Sequence, residues 1–223
     1  MHESDREGAL ARFVFSSLLI TILGLLTWAG LCPARTPDRQ APVPYGTPLY
    51  DCLIDPDHKL ATSITFTVRA ADLGSCERRF FTPGELRPIL LEYADYAGAL
   101  QWDCGHLREK SISCGHPQQH WVDCTANCVP MHFRLNRGPY AQLTARIAQL
   151  ARETDQVRVS IAVALRPARG ELPQADEVHG MPDLFLVRVC CPGTEEWYRF
   201  PNRDPEGRSL AKFRIPSPSK EAR

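Results

Sequence analysis

Apolar and polar positions alternate most clearly at residues 63–69, where Ile64, Phe66 and Val68 are set against Thr65 and Thr67. A period of two sends successive side chains to opposite faces, so this run predicts a half-buried strand. Residues 157–165 (VRVSIAVAL) and 184–190 (LFLVRVC) predict two longer strands, and residues 197–200 and 131–135 two short ones. A period near 3.6 recurs in two places. Leu86, Ile89, Leu90, Tyr93 and Leu100 predict a helix over about residues 82–102. Thr82-Pro83-Gly84-Glu85 would open it with a capping hydroxyl, an early proline and an acid, and Pro88 falls near the first turn. Tyr140, Leu143, Ile147 and Leu150 predict a second helix over residues 139–153. The resulting β-α-β-α-β-β order implies an α+β fold, a small mostly antiparallel sheet with two helices.

Residues 13–32 form a run of twenty residues without a formal charge. Such a run is long enough to cross a hydrocarbon core as a helix. It predicts a signal-anchor or signal-peptide helix behind a polar segment, residues 1–12. Residues 33–49 hold five prolines and predict an extended linker. The folded domain is then expected over residues 50–201, and residues 202–223 as a basic, disordered tail. The stretch 166–182, with Pro167, Gly170, Pro173, Gly180 and Pro182, is too long for a tight hairpin turn.

Nine cysteines extend the picture. Cys32 belongs to the apolar run. The other eight are Cys52, Cys76, Cys104, Cys114, Cys124, Cys128, Cys190 and Cys191. An even set behind a membrane-targeting segment reads as a disulfide framework, so the α+β domain is expected to be disulfide-stapled, with the pairing left open. It would stand in the periplasm or the extracellular space, membrane-anchored by a single pass or secreted. Cys190 and Cys191 are neighbours on a predicted strand, so their thiols should face opposite sides of the sheet. Cys104, His106, Cys114, His116, His120, Cys124, Cys128 and His132 offer metal-ligand chemistry, but no C-x-x-C pair marks a zinc site. Asp103 and Asp123 read as turn residues beside that cluster. No G-x-S-x-G, H-E-x-x-H or glycine-rich phosphate loop is present, so no catalytic residue, metal ligand or cofactor is assigned. Trp102, Trp121, Trp197 and Tyr198 are expected to fill the core.

Charge narrows the partners. Twenty-six basic and twenty-six acidic residues balance, and outside the mildly basic tail no run of the sequence collects a basic excess. Nucleic acid is therefore not an expected partner. The expectation is a non-catalytic binding or structural module on the oxidising side of a membrane. It would bind a protein or glycan ligand and hold the membrane through residues 13–32. An envelope metal-binding protein or enzyme built on the 104–132 cluster is the alternative. Residues 140–190, an amphipathic helix followed by VRVSIAVAL and LFLVRVC, resemble the helix–strand–strand ending of pentameric bacterial toxin B subunits. That resemblance implies an OB-fold subunit that binds host glycans.

Overall fold

The computed structural model describes residues 40–168, 170–175 and 179–218. The expected polar segment 1–12 and apolar helix 13–32 lie outside the described residues. Within them, no helix is long and apolar enough to cross a membrane.

Three strands lead the described residues: β1 (Val43–Gly46), β2 (Asp51–Asp55) and β3 (Leu60–Arg69). An insertion follows, carrying β4 (Trp102–His106), β5 (Cys128–His132) and the main helix α1 (Ala141–Thr154). The chain then returns as β6 (Gln156–Ala168), β7 (His179–Cys191), β8 (Thr194–Pro201) and the short β9 (Arg214–Ile215). Seven strands make one sheet in the order β1-β2-β3-β6-β7-β8-β9, antiparallel throughout, while β4 and β5 pair as a separate ribbon. The architecture is α+β with a mostly antiparallel sheet, one main helix and a disulfide, as the alternating and helical periods imply.

The period-two pattern explains which face is covered. Ile64, Phe66 and Val68 of β3, Val157, Val159, Ile161 and Val163 of β6, and Phe185, Val187 and Val189 of β7 are all buried. In register, Phe66 lies opposite Val159 and Val159 opposite Val189, so the apolar positions line up across three strands. Each such side chain contributes roughly 1.5–3 kcal/mol on full burial. Helix α1 packs there through Leu143, Ile147, Leu150 and Ala151, the stripe that its sequence predicts. It ends where Asp155 takes a positive φ of 63°, a conformation that aspartate tolerates better than most residues, and the chain enters β6 directly.

Several expectations change. Residues 82–102 do not form a helix. Two 3-10 turns, Gly84–Ile89 and Tyr93–Tyr96, replace it. Pro88 lacks the amide that a continued helix needs, and Leu90 and Glu92 are extended, with ψ of 150° and 162°. Leu86, Leu90, Leu91 and Tyr96 still reach the core, which is why the apolar spacing looks helical. Part of the expected linker 33–49 is β1, an edge strand where Pro44 is tolerated. The expected tail contributes β9 and Asn202. That buried amide donates to the carbonyls of Pro130 and Pro182 at 2.9 and 2.8 Å and accepts from the His132 amide, joining the ribbon to the sheet.

Candidate functional site

The approach to α1 is built by β5, which turns at His132. The His132 ring accepts from the Arg134 amide at 3.3 Å, and one helical turn then carries Asn136 and Arg137 to the foot of α1. Asp103 on β4 fixes both. Its carboxylate accepts from Asn136 Nδ2 at 2.9 Å, and from Arg137 Nε and Nη2 at 3.0 and 2.7 Å. The paired carboxylate keeps the Arg137 guanidinium charged and raises its pKa further. Asn136 Oδ1 is shielded from solvent and finds no partner among the described residues, so an acceptor is left open beside the guanidinium.

From this corner a groove of about 580 Å³ runs along α1. The helix supplies Ala141, Thr144, Ala145, Ala148 and Arg152, small residues that admit a ligand close to the helix, with a guanidinium at the far end. Leu73, Gly74 and Arg78 make the opposite wall, with Glu109 and Ser111 between. That wall is stapled. Cys76 is bonded to Cys114 with 5.5 Å between Cα atoms, the Gly74 amide donates to the Ser111 carbonyl, and the Gly115 amide donates to the Asp72 carbonyl. The groove thus collects Arg78, Arg137 and Arg152 against Glu109.

Beneath the same segment lies a second cluster. His106, buried at the end of β4, contacts Asp123 through Nε2 at 3.2 Å, and its ring lies 5.2 Å from that of Phe80. Lys110 Nζ donates to the other oxygen of Asp123 at 2.9 Å and to the Glu77 carbonyl, and the Arg79 amide donates to Asp123 at 2.6 Å. Burial alone would raise the Asp123 pKa, but the hydrogen bonds from His106, Lys110 and Arg79 outweigh it and hold the carboxylate at about 2. Arg108 is equally enclosed. It donates to Ser113 Oγ and to the carbonyls of Leu49, Thr67 and Ile112, and burial brings its pKa down to about 10 despite the nearby Asp72. These groups are structural: their donors and acceptors are directed at one another.

The residues singled out from sequence separate. Of the eight cysteines, Cys76 and Cys114 are bonded, whereas Cys52, Cys104, Cys124, Cys128, Cys190 and Cys191 are thiols in this structure, so the framework is smaller than an even count implies. Cys190 and Cys191 do face opposite sides, part-exposed and buried, but their cross-strand partners in β8 are Glu195 and Thr194. The 104–132 cluster does not converge on a cation. His106 is engaged with Asp123 and His132 with the Arg134 amide, and no group of three or more His, Cys, Asp or Glu among the described residues could hold a metal. Tyr198 is buried, while Trp102, Trp121 and Trp197 are only partly covered. Sequence reasoning missed the arginine groove because Arg78, Arg137 and Arg152 are far apart in the chain. The nearest signal was the stripe of small residues on α1.

No family model and no curated protein matches the chain. Among solved structures it is similar to a chain described under "Crystal structure of the EndoG/EndoGI complex: Mechanism of EndoG inhibition". The TM-score is 0.66 at 16% identity, over 82% of this chain and 84% of that one. At that identity the likeness is one of fold. It overturns the expectation of a glycan-binding toxin B subunit. Residues 140–190 do form a helix and two strands, but the strands belong to a seven-stranded antiparallel sheet rather than an OB-fold barrel. The neighbour's setting is a protein–protein complex; a glycan ligand has no support from it.

Proposed function

We propose that this chain is a nuclease-related domain that holds the phosphodiester backbone of a nucleic acid in the groove between α1 and the 73–78 wall. The observation that carries it is the convergence of Arg78, Arg137 and Arg152 on one groove against Glu109. Guanidinium groups spaced along a groove match a row of phosphates, and the planar forks of Arg78 and Arg152 suit phosphate oxygens, while Asp103 holds that of Arg137 in place. The fold likeness to a chain from the complex of EndoG, a nuclease, with its inhibitor supports the same reading. A single membrane-spanning or signal segment at residues 13–32 remains part of the proposal, and the Cys76–Cys114 bond supports an oxidising compartment.

The test is fluorescence anisotropy of the full chain with labelled single- and double-stranded oligonucleotides. Replacing Arg78, Arg137 and Arg152 together by alanine should weaken binding by about tenfold or more, a loss of roughly 1.4 kcal/mol or greater. The thermal transition should stay in place, because all three side chains are exposed. Unchanged affinity in the variant would overturn the proposal. So would a chain that ignores oligonucleotides and instead forms a stable complex with a nuclease, which would give it the inhibitor's role.

A further inference from the structure

The β4–β5 ribbon brings two thiols together. Its register sets Cys104 opposite Pro130 and His106 opposite Cys128. Opposed residues share a face, as do residues two apart on one strand, so Cys104 and Cys128 are diagonal neighbours on the same face. Besides burial, the Cys104 neighbour raises the Cys128 thiol pKa, as two thiols on one face of the ribbon should. Tyr96 is buried nearby: burial, and then Cys104 and Cys128, raise its pKa well above the ordinary value, and its hydroxyl finds no hydrogen-bond partner among the described residues. Access differs between the two: Cys128 is 1% exposed, whereas Cys104 is partly open to solvent. Cys124 also raises the Cys128 thiol pKa, but less than Cys104 does.

We propose that Cys104 and Cys128 are a dithiol that closes to a disulfide across the β4–β5 ribbon when the chain meets a small disulfide oxidant such as oxidised glutathione. Cys104 acts first because solvent reaches it. Its thiol loses a proton, and the thiolate attacks one sulfur of the oxidant, forming a mixed disulfide and expelling one glutathione thiolate. Cys128 then loses its proton and attacks the Cys104 sulfur, which breaks the mixed disulfide and expels the second glutathione thiolate. The two leaving thiolates take up the two protons; the protein loses two electrons and the oxidant gains two. Burial holds the Cys128 thiol well above its ordinary pKa, so the second step is the slower one. The bridge would tie β5 to the residue beside Asp103, the carboxylate that positions Arg137. It forms whether or not the groove takes nucleic acid.

The experiment treats the full chain, purified under mild reductant, with oxidised glutathione, then alkylates with N-ethylmaleimide and maps the peptides by mass. A cross-linked peptide pair joining Cys104 to Cys128 is expected. In Cys128→Ser the glutathione adduct should persist on Cys104, and in Cys104→Ser the Cys128 thiol should stay free of glutathione. Alkylation of both residues in the oxidised wild-type chain would overturn the proposal. A bridge from either one to another cysteine would overturn it as well. The wild-type map decides the matter even where a buried serine unfolds its variant.

Discussion

Asp123 is a buried carboxylate that meets Lys110, His106 and the Arg79 amide at once. Its pKa of about 2 lies below the ordinary 3.8, so the unfolded chain binds the proton more readily. Its contribution to stability is therefore complete above about pH 4 and is lost as pH falls towards 2. Urea denaturation across that window should show the loss in the native chain and little of it in Asp123→Asn. At neutral pH the same variant should lose about 3–5 kcal/mol, because the Lys110 charge stays buried without its partner. Arg108 makes a parallel case. Arg108→Lys keeps the charge but not the planar fork that reaches Ser113, Leu49, Thr67 and Ile112, and should cost roughly 2 kcal/mol or more in the same assay. Neither residue could be recognised in the sequence. Asp123 reads as a turn residue beside a cysteine, and Arg108 looks like any surface arginine, because burial of a charge depends on what folds over it.

At the scale of elements, the legible parts are those whose own periodicity decides them. β3, β6, β7 and α1 carry unbroken alternation or an unbroken stripe, and the structure places them where those patterns point. The stretch 82–102 has helical spacing without helical continuity, because Pro88 and the positive φ of Gly98 interrupt it. β4 lies hidden in a polar segment with no alternation of its own to mark it. Its pairing with β5 spans 22 to 30 residues in register, a distance no local pattern reports. Close approach between elements offers a direct check. A Cβ at Gly115 would stand 2.1 Å from the Ala71 carbonyl oxygen and 3.0 Å from that of Leu73, both backbone atoms beside the Cys76–Cys114 wall. Gly115→Ala should lower the thermal transition by an amount corresponding to roughly 1–3 kcal/mol or more. Gly84→Ala, with nothing within 4 Å of the added carbon, should be nearly silent.

For the whole molecule, the balance of charge conceals its arrangement. Twenty-six cations and twenty-six anions cancel in the count, and outside its mildly basic tail the sequence offers no basic run. Folding nevertheless gathers Arg78 from a loop, Arg137 from the approach to α1 and Arg152 from its last turn along one groove. A test for nucleic-acid partners that looks for clustered charge along the chain misses a cluster assembled from three distant segments. The same holds for the cysteines, whose even number says nothing of which thiols meet. Cys76 and Cys114 are 38 residues apart and bonded, whereas the neighbours Cys190 and Cys191 face away from each other.

The most direct measurement is the salt dependence of oligonucleotide binding by the full chain. For a single strand, log Kobs should fall linearly with log salt, and the slope should shrink by about 2 when the three groove arginines become alanine, since each phosphate contact accounts for about 0.7. A slope near zero in the native chain, or the same slope in both proteins, would contradict a phosphate-binding groove at this site.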